Sequence, residues 1–228
     1  MNFQEFEELI NSGLKEITLT EDVILEDSER EDYMWGVEIT ADDLIIDGNN
    51  HSVNGNKKAS LLNVESKVTL RNFRFENACF EYSGGALINR GDLIIENCEF
   101  FDNTSWDLGG AIYNESNLAI KNSKFIENRA EYGGAIFMDS DSMLSLSGSV
   151  FESNFAEFEG GAIYNKSKLS VYDCLFRKNA AYKGGAIYNE LILNVRDSEF
   201  TGNIAGDDND DIRSESEEKL SVLNCIFD

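Results

Sequence analysis

From Val68 onward the chain repeats one pattern of apolar and polar positions. Short alternating pieces, such as Leu118 and Ile120 or Ile112 between Ala111 and Tyr113, are separated by Gly, Asn, Asp and Ser. That alternation predicts strands punctuated by turns, and no helical period fits. Two phrases recur in step. One reads "DLGGAIYNES" from Asp107 and "EYGGAIFMDS" from Glu131, with variants from Tyr82, Glu159 and Lys183; the double glycine returns every 24 to 27 residues. The other reads "LAIKNSKFIEN" from Leu118 and "LSVYDCLFRKN" from Leu169, and places Phe at 75, 100, 125, 151, 176, 200 and 227. A period of that length is the mark of a solenoid or propeller. A propeller blade needs about 40 residues, whereas one coil of a parallel β-helix, stacked about 4.8 Å from the next, fits. The expected fold is all-β, a single-stranded parallel β-helix of about eight or nine rungs.

Alignment of the rungs gives each slot a direction. Leu62, Leu87, Ile112, Ile136, Ile163 and Ile187 are always aliphatic and should form an interior ladder. The next slot inverts on a strand, so Ile88, Tyr113, Phe137, Tyr164 and Tyr188 should face outward. The slot after it holds Asn89, Asn114, Asn165 and Asn189, broken by Met138. A second asparagine column, Asn103, Asn128, Asn154, Asn179 and Asn203, follows each Phe by three residues. Stacked amides can bond to one another and to backbone, which predicts structural ladders. The glycines suit a corner needing positive φ or close backbone approach.

The ends differ from the middle. Phe3, Phe6, Leu9 and Ile10 share a helical face, and a short helix there would cover the first rung. One domain is expected over 1–228: a helical cap at 1–13, less regular opening rungs at 14–58, and glycine-phenylalanine rungs at 59–228. At the other end "GDDNDDIRSESEEKL" replaces the glycines with acids, which either protects an edge by charge or marks a piece of a longer protein.

The "GGAIYN" and FxxN rungs, together with "LIIDGNNHSVNG" from Leu44, resemble right-handed parallel β-helix repeat proteins. Among these are chlamydial-type polymorphic outer membrane proteins and the adhesin-like surface proteins of methanogenic archaea. The resemblance runs from Leu44 to Asp228. It implies a right-handed helix and a surface adhesion role, and it brings no catalytic motif, because in that group the motif builds rungs.

Charge narrows the partners. With 43 acidic and 19 basic residues the formal charge is −24, which repels nucleic acid and anionic membranes. No stretch is apolar enough to insert in a membrane, and the start, "MNFQEFEELINSG", lacks the features of a secretion signal. A cell-surface location follows if the chain is part of a longer one; the cytoplasm stays open without a signal.

Chemistry is sparse. Cys98, Cys174 and Cys225 share a slot with Ser123, Ser149 and Ser198, about 10 Å or more apart by rung spacing, too far to bridge. Free thiols are expected there. His51 is the only histidine, so neither zinc nor a nucleophilic triad is predicted. Asp207, Asp208, Asp210 and Asp211 crowd hard oxygens suited to Ca²⁺, with the spacing of neither an EF-hand nor a nonapeptide repeat; a charge-protected edge is the simpler reading. Asn-x-Ser/Thr sequons begin at Asn50, Asn103, Asn114 and Asn165, three of them on ladder positions or nearby.

Aromatic residues exceed what a solenoid needs. Tyr113, Phe137, Tyr164 and Tyr188 form one stripe, and Tyr82, Trp106, Tyr132, Phe158 and Tyr182 precede the glycines as another. Two stripes flanking the glycine corner would make a groove for sugar rings or a protein surface; the competing reading is that the stacked aromatics pack on one another over bare glycine backbone and only stabilise the solenoid. The leading expectation is a non-catalytic, adhesin-like recognition module for glycan or protein. The alternatives are a carbohydrate-active enzyme, a lyase or hydrolase using paired carboxylates, and a structural stalk.

Overall fold

The computed structural model describes residues 1–207, 210–216 and 219–228. One turn of it shows how the pattern becomes a coil. The chain runs through Ile112–Asn114, Asn117–Lys121, Lys124–Ile126 and Arg129–Tyr132, then begins again at Ile136–Met138. Each strand pairs in parallel with its counterpart one turn later, Ile112 opposite Ile136, Leu118 opposite Leu144, and Phe125 opposite Phe151. Among the described residues the strands make four parallel sheets of eight, nine, nine and six members, called here the glycine, leucine, phenylalanine and fourth sheets. The stack is about eight turns high.

Corners are made by residues that tolerate left-handed backbone. Between the leucine and phenylalanine sheets Asn72, Asn97, Asn122, Asp173 and Asp197 all have φ near +50° to +60°, and between the phenylalanine and fourth sheets Asn77 and Asp102 do the same. Asn and Asp enter this region most readily after glycine. The glycine corner is tighter. Gly133 has φ +63°, and a Cβ on Gly134 would sit 2.2 Å from the carbonyl oxygen of Gly161 in the next turn. One glycine is needed for conformation and its neighbour for space.

Inward positions stack by identity. Leu62, Leu87, Ile112, Ile136, Ile163 and Ile187 are buried. The Phe100, Phe125 and Phe151 rings lie 4.7 Å apart and within 3° of parallel. Aromatic contacts of this kind add about 0.5–1.5 kcal/mol each beyond burial. The second asparagine column is a continuous chain of side-chain bonds, Asn103 to Asn128, Asn154, Asn179 and Asn203. Each amide also reaches a backbone carbonyl, as Asn128 does to Phe100. The first column is interrupted at Met138, where Asn114 meets a thioether at 3.7 Å. The sequon residues Asn103, Asn114 and Asn165 are fully buried, so these three are ladder positions.

Length varies only between ladders. Ser142 and its neighbours lengthen the corner before Met143, because Met138 pairs with Asn114 but Met143 pairs with Asn117. A bulge in the fourth sheet sets Tyr132 opposite Glu159 after Ala130 opposite Ala156.

The N-terminal helix, Phe3–Ile10, starts at a capping box between Asn2 and Glu5 and buries Phe3, Phe6 and Ile10 on the first rung. Leu9 is half-buried at its margin. The nearly buried Glu29 accepts the Phe3 and Gln4 N–H groups at 3.3 and 2.8 Å, satisfying donors that a helix start leaves open.

Candidate functional site

The fourth sheet and the glycine corner position the aromatic residues. Pairing of Thr104 with Cys79 and Ser105 with Phe80 puts Trp106 beside the Glu81–Tyr82 pair of the previous turn. The Lys183 N–H bonds to the Phe158 carbonyl, which sets Tyr182 next to Phe158. Tyr82, Trp106, Phe158 and Tyr182 are exposed, Trp106 by 60%. Tyr132 is half-buried, 5.2 Å from the Phe158 ring and edge-on to Tyr164. The exposed rings form a ledge along the coil axis.

The other stripe is not an open wall of a groove. Tyr113, Phe137, Tyr164 and Tyr188 do point away from the interior, but Phe137 is 2% exposed and Tyr164 and Tyr188 are 6% exposed. Phe137, Tyr164 and Tyr188 form a second hydrophobic cluster, with the half-buried Leu108, Tyr113 and Tyr132 packed against it. Phe137 is stacked between Tyr113 and Tyr164 of the adjacent turns, and Leu108 and Tyr132 precede the glycines. The hydroxyls of this stripe are committed too: Tyr113 donates to Asp139 at 2.8 Å, Tyr188 to Glu215 at 2.9 Å, and Tyr164 to Glu190. Burial, then the carboxylate partner, pushes all three phenols above their ordinary range.

The sequence reading missed Trp35. Its ring stacks on Tyr82 with centroids 5.4 Å apart and planes 7° apart, and meets Phe80 edge-on at 4.8 Å. It lies in the opening rungs, where no double glycine repeats. The signal was present in "MWGVEI", an aromatic directly before a glycine and an alternating strand. Beside Trp106 is a shallow depression of about 350 Å³ reached by Arg129, Glu131 and Glu157.

The remaining candidates are placed as follows. All four cysteines are free thiols. Burial pushes Cys98 up to about 12 and Cys174 up to about 11. Cys98 and Ser123 continue their own ladder, the Cys98 N–H donating to Ser123 Oγ at 3.1 Å. His51 faces Asp22 at 3.3 Å. Of the aspartates considered for calcium, Asp208 lies outside the described residues. Asp207 and Asp210 are exposed. Asp211 accepts the Asn203 amide at 2.8 Å and so ends the asparagine ladder; burial raises its pKa. Among the described residues no group of three or more His, Cys, Asp or Glu converges on a metal position.

Comparison with known proteins supports the architecture. Residues 22–176, more than half the chain, match the family described as right handed beta helix region. Residues 173–190 match the Chlamydia polymorphic membrane protein repeat. No curated protein and no solved structure matches the chain.

Proposed function

Because the chain belongs to the right-handed β-helix family, we propose that it is a non-catalytic recognition module of a surface-associated repeat protein, which binds an extended ligand along its aromatic ledge. The polymorphic membrane protein repeat at 173–190 supports the surface association. One observation carries the recognition role. Trp35, Tyr82, Trp106, Phe158 and Tyr182 stay exposed while the rings beneath them are buried and bonded, so a rigid base presents large apolar faces to solvent. Exposed aromatic patches of this kind mark interaction sites. No helix among the described residues is long and apolar enough to cross a membrane.

The test is a pair of arrays, one of glycans and one of surface proteins, probed with the wild type and with Trp106→Ala/Tyr182→Ala. A few anchors dominate most interfaces, so the double variant should lose at least about 2 kcal/mol of binding with its melting transition preserved. Unchanged binding in the double variant, or no ligand in either array, would leave the chain as a structural spacer.

A further inference from the structure

The ledge carries charge as well as rings. Glu81, Asp107 and Glu157 are exposed and Glu131 is half-buried, interleaved with the aromatic residues turn by turn. Some other carboxylates are matched across turns, Glu65 and Glu115 by Arg90 and Glu159 by Lys183. The four ledge carboxylates have no ion-pair partner among the described residues.

The rings show the same vacancy for positive charge. On other faces the chain covers aromatic rings with its own cations, Arg74 over Phe101 at 4.6 Å and Arg196 over Tyr172 at 5.1 Å. Within the fourth sheet Arg129 lies over Phe155 at 4.5 Å, directed to that ring. Among the described residues no cation covers Tyr82, Trp106, Phe158 or Tyr182. Exposed ring faces attract ammonium and guanidinium groups, and unpaired carboxylates beside them strengthen that attraction. The formal charge of −24 adds long-range steering.

Resting on the recognition role proposed above, we infer that the occupant of the ledge is an extended, lysine- or arginine-bearing polypeptide segment, its cations seated on the exposed rings and paired with Glu81, Asp107, Glu131 and Glu157. A polypeptide suits the geometry because the ledge continues over several turns, about 4.8 Å apart, and a chain presents several cations in series.

The two tryptophans of the chain, Trp35 and Trp106, both lie on the ledge and report binding by fluorescence. The full chain is titrated with a short peptide of alternating lysine and threonine, with the same peptide carrying glutamine for lysine, and with a neutral oligosaccharide. The lysine peptide should bind, weakening as salt rises. Glu131→Gln/Glu157→Gln should raise its Kd about tenfold. Glu31→Gln/Asp141→Asn removes equal charge elsewhere and should change it less than about twofold. Equal binding of the glutamine peptide, or equal loss in the control variant, would overturn the inference. A neutral oligosaccharide that binds in a Trp106-dependent way while the lysine peptide does not would overturn the cationic assignment and leave the recognition face standing. Silence from all three ligands also overturns it, and the arrays then decide recognition separately.

Discussion

The side-chain amide of Asn128 donates to Oδ1 of Asn154 at 2.9 Å, and the same oxygen accepts the Asn128 backbone N–H at 3.0 Å. Asn154 in turn donates to Asn179 and to the Phe125 carbonyl, both at 2.9 Å. Asn154→Leu keeps the volume but strands two donors of Asn128 and a carbonyl in a dry interior. Each unsatisfied group costs about 1–3 kcal/mol, so a loss of at least about 3 kcal/mol is expected. Denaturant melts measure it; a loss below about 1 kcal/mol would mean that the ladder contributes little.

Phe137→Ala should cost about 3 kcal/mol or more, as for a core aromatic, because the ring is buried between those of Tyr113 and Tyr164. Phe158→Ala, on the ledge, should cost less than about 1 kcal/mol. Equal losses in thermal or denaturant melts would show that this ring cluster contributes no more than the exposed ledge.

Tyr113, Tyr164 and Tyr188 hold their protons in the fold above the ordinary range. A raised folded pKa gives stability that is complete below the unfolded value near about 10 and is lost as pH rises beyond it. Stability measured by denaturant should therefore fall as pH rises, first above about 8.5, where the Cys98 and Cys174 thiols ionise only in the unfolded chain, and more steeply above about 10, where the tyrosines add to the loss. Absorbance at the phenolate band should rise less with alkali in the native protein than in the unfolded chain. Coincident native and unfolded titrations would contradict the bonded hydroxyl ladder.

Cys98 and Cys174 are buried with their thiols pushed up, so the nucleophilic thiolate is scarce near neutrality. Thiol titration without reductant should count four groups in denaturant, while in the native state Cys98 and Cys174 should react far more slowly. Mass spectrometry after timed alkylation locates the protected sites; rapid labelling of Cys98 would show that its rung opens.

Slot direction was legible in the sequence because a strand inverts at each residue. Ile136 in and Phe137 out follow from that rule, while the asparagine ladders and the unbridged thiols follow from rung alignment and rung spacing. What inversion could not say is whether an outward side chain meets water. Phe137 is sealed by the stacked rings of Tyr113 and Tyr164 in the turns on either side, a consequence of packing between turns rather than of hydropathy along one strand. The site was accordingly half legible. Tyr82, Trp106, Phe158 and Tyr182 stand exposed, Tyr132 lies at the boundary, and Tyr113, Phe137, Tyr164 and Tyr188 support the face from beneath. Trp35 escaped because alignment by repeat looks only where the repeat is intact.

The bulge that sets Tyr132 opposite Glu159 separates two kinds of position within a single turn. Positions in the ladders are locked, since any insertion there would displace every stacked partner above it. Beside the bulge an extra residue is absorbed without disturbing Ala156 or Ile163, which keep their partners Ala130 and Ile136. That permissive seam borders the aromatic ledge. Residues can thus be gained, lost or exchanged at the rim while the scaffold stays invariant, so a lineage of such chains could diversify its specificities without having to solve the folding problem again.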